Sequence, residues 1–124
     1  LMLGANDVQV SKKFYDATLS VFGHPEGKID EKGRCFYVTK TGVLALTKPL
    51  DGQPASKGNG STIGFAAKSS AEVEAWHAAG LANGGIACED PPGVRAGAIG
   101  SLYLAYLLDP VGNKLCALYR LPAA

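Results

Sequence analysis

Few side chains in this chain of 124 residues are suited to covalent or metal chemistry. Five are of the types that most often bind metals or act as nucleophiles: Cys35, Cys88, Cys116, His24 and His77. Cys116 is the strongest candidate for a nucleophile or a soft metal ligand, but a thiol nucleophile needs a base within reach. Its predicted strand offers only Lys114 and Arg120 on the same side. The pattern therefore favours a packed or cavity-lining thiol.

Structural explanations are also favoured for the other four residues. Cys35 and Cys88 lie in predicted strands with apolar neighbours, where a small buried side chain is common. His77 follows Trp76 on a predicted helix, and His24 lies in a Gly-His-Pro turn that is typical of a solvated loop. None of them forms a recognisable ligand or catalytic pattern.

Arg95 is the one cation in a stretch rich in proline and glycine between residues 90 and 95. A guanidinium group can hold a carboxylate or a phosphate through paired hydrogen bonds. The alternative is an ordinary solvated loop arginine.

Tyr103 and Tyr106 lie on one predicted strand with opposite parity, so only one of them can face a cavity while the other packs against a helix.

Two amphipathic helices are predicted to position these residues. The first begins after the N-cap Asp7 and carries a buried stripe of Val10, Phe14, Ala17 and Val21. The second begins with the S-x-x-E pattern of residues 69–72, buries Val73, Trp76 and Gly80, and ends at the glycines 84 and 85. Strands are predicted at 1–4, 28–31, 34–40, 43–48, 62–67, 86–89, 101–108 and 114–120, with residues 90–95 as a loop.

The order of these elements repeats. A shift of 62 residues pairs Leu3 with Phe65 and Phe14 with Trp76, and a shift of 72 pairs Leu44 with Cys116. The sequence thus predicts one α+β domain, 1–124, made of two β-α-β-β-β modules: module one at 1–50, a linker at 51–60 and module two at 61–124. Each helix covers one face of its sheet, so we expect the two sheets to form a cupped mixed sheet around a cavity.

Composition excludes several classes of function. Twelve Lys and Arg against eleven Asp and Glu give a net charge of +1, so no basic field exists to hold nucleic acid. No apolar run approaches the ~18 residues of a membrane span. Three cysteines cannot all pair within one chain, and no leader pattern precedes them. We expect a cytoplasmic protein that binds neither nucleic acid nor membranes.

Several motifs together resemble the glyoxalase / bleomycin-resistance / extradiol-dioxygenase superfamily, also called vicinal oxygen chelate proteins. They lie at residues 3–7, 11–19, 58–60, 74–79, 91–95 and 108–115. The resemblance covers essentially the whole chain and implies the glyoxalase-like fold, which agrees with the repeat. It also implies a cupped sheet around a ligand pocket, with the loop of Arg95 at the mouth of the second-module pocket.

Enzymes of this superfamily hold a divalent metal with His and Glu from the first and last strands of each module. By this resemblance Thr62 replaces a His, Cys116 replaces a Glu, and Leu44 lies where module one would supply its carboxylate. The first-strand position falls before Leu1. Three or four ligands are the norm for a divalent metal, so the resemblance predicts a member without metal or other cofactor and without catalytic residues.

The resemblance also implies a site and an assembly. Ligand-binding residues are expected to be Met2, Leu44, Thr62, Arg95, Tyr103 and Cys116, with Tyr103 preferred to Tyr106 for the pocket. The expected function is metal-independent binding of a small molecule by a homodimer. The alternative is a metal-dependent lyase, isomerase or dioxygenase that uses a divalent metal at a non-standard site, and a metal-independent enzyme also stays open.

Overall fold

The chain folds into two repeats, each made of one helix and one sheet, and the two repeats share a core. The computed structural model describes residues 1–122. Within them, no helix has both the length and the apolar character needed to cross a bilayer. The elements are β1 (Met2–Gly4), α1 (Val8–Ser20), β2 (Lys28–Ile29), β3 (Cys35–Val38), β4 (Val43–Thr47), β5 (Ile63–Ala66), α2 (Ser70–Ala82), β6 (Ile86–Ala87), β7 (Gly93–Gly97), β8 (Gly100–Leu108) and β9 (Lys114–Arg120).

Each module forms its own mixed sheet, and the first sheet has the order β1-β4-β3-β2. The second has the order β5-β9-β8-β6, and β7 also pairs with β8. The first strand of each module runs parallel to the last one, β1 with β4 and β5 with β9, while the other pairs are antiparallel. The predicted α+β class and the repeated β-α-β-β-β plan are confirmed, with β7 as an additional strand in the second module.

The helix boundaries follow the predicted capping signals. Asp7 Oδ1 accepts hydrogen bonds from the amides of Gln9 and Val10 at the start of α1. At the start of α2 the Glu72 amide donates to Ser69 Oγ, and the Glu72 carboxylate accepts from the amide of Lys68. These bonds satisfy amides that have no partner within the first turn of a helix.

The buried stripe of α1 differs from the predicted one. Val10 is 49 % exposed, whereas Ser11 and Thr18 are buried together with the aromatic residues Phe14 and Tyr15. The predicted stripe includes apolar residues only and therefore lies on a different side of the helix from the buried one. Small hydroxyl side chains are also buried, because they pack well at a close contact between helices. The predicted stripe of α2, Val73, Trp76 and Gly80, is confirmed.

A buried carboxylate joins the two modules. Asp109 follows β8 and is 2 % exposed. Its Oδ1 accepts from the amides of Val111, Gly112 and Asn113, and its Oδ2 accepts from Asn113 Nδ2 and from the hydroxyl of Tyr15 at 2.6 Å. Tyr15 lies on α1 of module one, so this group connects the first helix to the turn between β8 and β9. Burial raises the pKa of Tyr15 well above its ordinary value, which keeps its hydroxyl protonated as the donor.

The two helices pack against each other at Gly80. A β carbon built on Gly80 would overlap the side chain of Leu107 and lie 3.2 Å from Phe14 Cε1. Gly80 therefore sits where α1, α2 and β8 meet, and the absence of a side chain there allows the close packing. One core of buried side chains contains residues of both helices and both sheets.

We expect Gly80→Ala to destabilise the fold by about 1–3 kcal/mol, because a methyl group added to a filled core forces its neighbours apart. The gain in helix propensity, about 1 kcal/mol, offsets only part of this cost. Chemical denaturation measures the difference. Gly42→Ala is the matched control, since a β carbon at Gly42 meets no atom within 4 Å. Equal stability of the two variants would contradict the close packing.

Candidate functional site

The face of the second sheet that α2 leaves open contains the strongest candidate site. Residues paired across a sheet point to the same side, and Cys116 pairs with Gly64 and with Tyr106. Their neighbours in the strands, Leu115 and Ala117, belong to the core under α2. We call the opposite side of this sheet the helix-free face; its residues are Gly64, Ala66, Arg95, Leu102, Leu104, Tyr106, Leu108, Lys114, Cys116 and Leu118.

Cys116 lies at the centre of the helix-free face and is 8 % exposed. A β carbon built on Gly64 would lie 3.5 Å from Cys116 Sγ and 3.3 Å from Leu118 Cδ2, so the backbone of this glycine packs closely beside the thiol. Burial raises the pKa of the Cys116 thiol. At neutral pH the group is a neutral thiol, which is a weak nucleophile and a poor metal ligand.

Tyr106, and not Tyr103, shares this face with Cys116. Tyr103, the residue expected to face the pocket, pairs with Tyr119 and packs against the core on the α2 side. The parity of β8 is fixed by Ala105 and Leu107, which are fully buried. Because β8 is apolar on both faces, its sequence alone does not show which set of alternating side chains faces α2.

A charged group lies at one edge of the helix-free face. The Lys114 ammonium lies 4.9 Å from the centroid of the Tyr106 ring, in cation–π geometry, and forms an ion pair with the carboxylate of Glu89. Glu89 has a φ of 58°, which is rare for a residue other than glycine. Burial raises the pKa of Tyr106, so its hydroxyl stays protonated at neutral pH.

Arg95 lies in a strand and not in the predicted loop. It is in β7, pairs with Leu102, and therefore points to the helix-free face. Its Nη2 donates to the carbonyl oxygens of Asp90 and Pro91, at 3.1 and 2.9 Å. Among residues 1–122 it makes no ion pair with a carboxylate. The guanidinium is thus held in place by the backbone while its charge stays uncompensated by an acid.

Leu44 does not point toward a pocket shared with Cys116. It pairs with Tyr37 and belongs to the core under α1, on the other side of its sheet from Met2. The parallel pairs show why: Met2 pairs with Ala45 in module one, as Gly64 pairs with Cys116 in module two. The repeat there has a shift of 71 rather than 72 residues, and a slip of one residue reverses the face of every side chain in a strand.

The remaining predicted site residues lie apart from one another. Met2 lies on the open face of the first sheet, beside a cavity of about 710 Å³. Leu44 borders a cavity of about 320 Å³ between β5 and the first sheet. Thr62 precedes β5 and borders a cavity of about 270 Å³ that it shares with Lys114. Of the six predicted residues, the structure therefore brings Arg95 and Cys116 onto one face, with Thr62 at its end.

The side chains at the superfamily's ligand positions do not fit a divalent metal. Thr62, Cys116 and Ala45 supply neither an imidazole nor a carboxylate at these places. Within residues 1–122, no three His, Cys, Asp or Glu side chains are arranged to hold a metal ion. The helix-free face carries mainly apolar side chains at its centre and polar groups at its ends.

Comparison with solved structures shows the family. The chain is similar to a glyoxalase/bleomycin resistance protein from Albidiferax ferrireducens T118, with 57 % identity over 97 % of this chain and 96 % of that chain and a TM-score of 0.93. Identity at this level over nearly the whole length shows that the chain belongs to the glyoxalase/bleomycin resistance protein family.

More distant structures share the fold. A glyoxalase-related enzyme from Fulvimarina pelagi is 20 % identical over 97 % of this chain and 85 % of that chain, with a TM-score of 0.75. A lactoylglutathione lyase from Agrobacterium tumefaciens is 22 % identical over 96 % of this chain and 90 % of that chain, with a TM-score of 0.63. No protein-family model matches the chain. No curated protein matches it either.

The thiols are expected to react slowly with iodoacetamide at neutral pH, because burial raises the pKa of Cys35, Cys88 and Cys116 and lowers the fraction of thiolate. Alkylation of Cys116 should speed up as the pH is raised and should become fast once the protein is unfolded. Peptide mass spectrometry of the labelled protein measures each site, with glutathione as the control thiol. Labelling of native Cys116 faster than glutathione at pH 7 would contradict a neutral buried thiol.

Proposed function

We propose that this protein binds a small molecule on the helix-free face of its second sheet, without a metal ion. The observation that carries the proposal is the replacement of metal ligands by a neutral thiol and apolar side chains on an otherwise intact scaffold. Cys116, Leu104 and Leu118 form an apolar surface, and the Gly64 backbone lies beside it without a side chain. Such a surface favours burial of an apolar ligand and gives no Lewis acid.

Two side chains supply polarity and orientation to this surface. Tyr106 presents an aromatic ring beside Cys116, which suits stacking with a planar or unsaturated group. Arg95 lies on the same face with its Nη2 fixed by two carbonyl oxygens. A guanidinium held in this way loses little side-chain entropy on binding an anionic or carbonyl oxygen of a ligand.

We propose a homodimer as the functional unit. The open face of the first sheet also carries exposed apolar side chains, with Met2 at 46 %, Val43 at 44 % and Val38 at 70 % exposure. A second copy that covers the open faces would remove this apolar surface from water and close the ligand site. A reducing compartment, the cytoplasm, suits the three free thiols.

Binding is tested by a thermal-shift screen of apolar and anionic metabolites, followed by calorimetry on compounds that raise the melting temperature. A ligand at 100 times its dissociation constant adds about 2.7 kcal/mol of stability. We expect Gly64→Val to weaken binding of such a compound at least about tenfold, because its side chain would crowd Leu118 and Cys116 and cover the surface that the ligand is proposed to contact. Gly42→Val is the matched control, since open space surrounds that position.

Two results would contradict this site. One is a screen in which no compound stabilises the protein. The other is a compound that binds the Gly64→Val variant as tightly as the parent, which would place its site elsewhere on the molecule.

The absence of metal ligands is tested by restoring them. We expect the double variant Thr62→His, Cys116→Glu to gain Zn²⁺ or Ni²⁺ affinity over the parent, because Cys116 lies on the open face and Thr62 borders the cavity at its end. Equilibrium dialysis with elemental analysis measures the uptake. Tyr119→Glu combined with Thr62→His is the control, since Tyr119 lies on the α2 side of the same strand. Stoichiometric metal in the parent would instead favour a metal-dependent lyase, isomerase or dioxygenase.

A further inference from the structure

A polar cavity lies at the end of the helix-free face. It has a volume of about 270 Å³ and is bordered on one side by the glycine-rich loop 58–62. The other side is formed by Lys57, Leu108, Gly112 and Lys114. Leu108 and Lys114 pair with each other and point to the same face as Cys116, so the cavity continues the hydrophobic surface described above.

The charge of this cavity is positive. The stem of Lys57 lies against Gly112, where an added β carbon would be 3.4 Å from Lys57 Cδ. Among residues 1–122, Lys57 forms no ion pair with a carboxylate, whereas Lys114 is paired with Glu89. Two ammonium groups therefore face one carboxylate, which leaves an excess of one positive charge at the cavity.

Unused hydrogen-bond donors line the loop. The amides of Asn59 and Gly60 donate to no acceptor within the part of the chain that the structure describes, and neither do the hydroxyls of Ser61 and Thr62. Gly60 has a φ of 94°, a conformation that lets consecutive amides turn toward a concave space. Backbone amides arranged in this way, together with cationic side chains, form typical binding sites for anions.

We infer that this cavity binds an oxyanion, a carboxylate or a phosphate. Building on the proposed function, the ligand is an amphipathic anion: its anionic group occupies the cavity of Lys57 and Thr62, and its apolar part lies along Cys116 and Leu118. The position at which the superfamily has a metal-binding histidine, Thr62, then supplies a hydroxyl donor to the anion. The site uses hydrogen bonds and ammonium charge where metal-dependent relatives use a cation.

The first experiment titrates the whole protein with inorganic phosphate and, separately, with acetate at constant ionic strength. Amide chemical shifts in ¹H–¹⁵N spectra report the binding. We expect saturable shifts at residues 59–62, with the tighter of the two anions identifying the preferred group. Lys57→Ala should weaken binding about threefold to tenfold, because it removes one charged donor.

A variant that is expected to strengthen anion binding makes the test specific. Glu89→Gln removes the carboxylate that competes for Lys114, so we expect it to strengthen anion binding about threefold to tenfold. Lys40→Ala is the matched control for net charge, because Lys40 is exposed in the turn between β3 and β4 and borders none of these cavities. It should leave the affinity unchanged.

The results separate this inference from the proposed function. The oxyanion site is wrong if neither anion shifts the loop amides saturably, or if Lys57→Ala and Lys40→Ala weaken binding equally. Phenyl phosphate then tests the link between the two surfaces. If phenyl phosphate binds more tightly than inorganic phosphate and shifts the amides of Cys116 and Leu118, the result supports both the oxyanion site and the hydrophobic site. If its shifts are confined to the loop, the result supports the oxyanion site and contradicts the proposed hydrophobic site.

Discussion

The buried carboxylate of Asp109 is the interaction on which the arrangement of the molecule depends. A carboxylate removed from water is costly unless its oxygens accept several hydrogen bonds, and Asp109 accepts five of them. Four come from the turn that follows β8, so they fix where β9 begins. The fifth comes from Tyr15 on α1 and fixes module one against that same turn. One group thus sets both the register of the second sheet and the contact between the modules.

The register of β9 determines the chemistry of the candidate site. With Lys114 opposite Leu108, alternation places Cys116 and Leu118 on the open face and Leu115 and Ala117 under α2. The same register places the Lys114 ammonium over Tyr106 and beside Glu89. The alternation of side chains along β9 therefore places a hydrophobic centre and a charged edge on the same surface.

The scaffold of the family is kept here, with a hydroxyl at Thr62 and a thiol at Cys116. The chain belongs to the glyoxalase/bleomycin resistance protein family by its identity with a relative of the same length. The fold supplies two sheets, each covered by a helix on one face only. The other face of each sheet carries whatever side chains its strands present there. In this chain they present a thiol, leucines and a tyrosine, with lysines and a glycine-rich loop at one end.

The sequence by itself determined the parts of the fold that depend on local chemistry. The caps at Asp7 and Ser69, the buried stripe of α2 and the repeated order of elements all follow from side chains that act on their own neighbours along the chain. The side of β9 on which Cys116 lies followed from the resemblance to the superfamily and not from a local pattern. Only the tertiary structure decided the orientation of Leu44 and Tyr103 and the pairing of Arg95 in β7. Those strands are apolar on both faces or rich in glycine, so their register is fixed by pairing with distant strands and by packing under the helices, which no local pattern records.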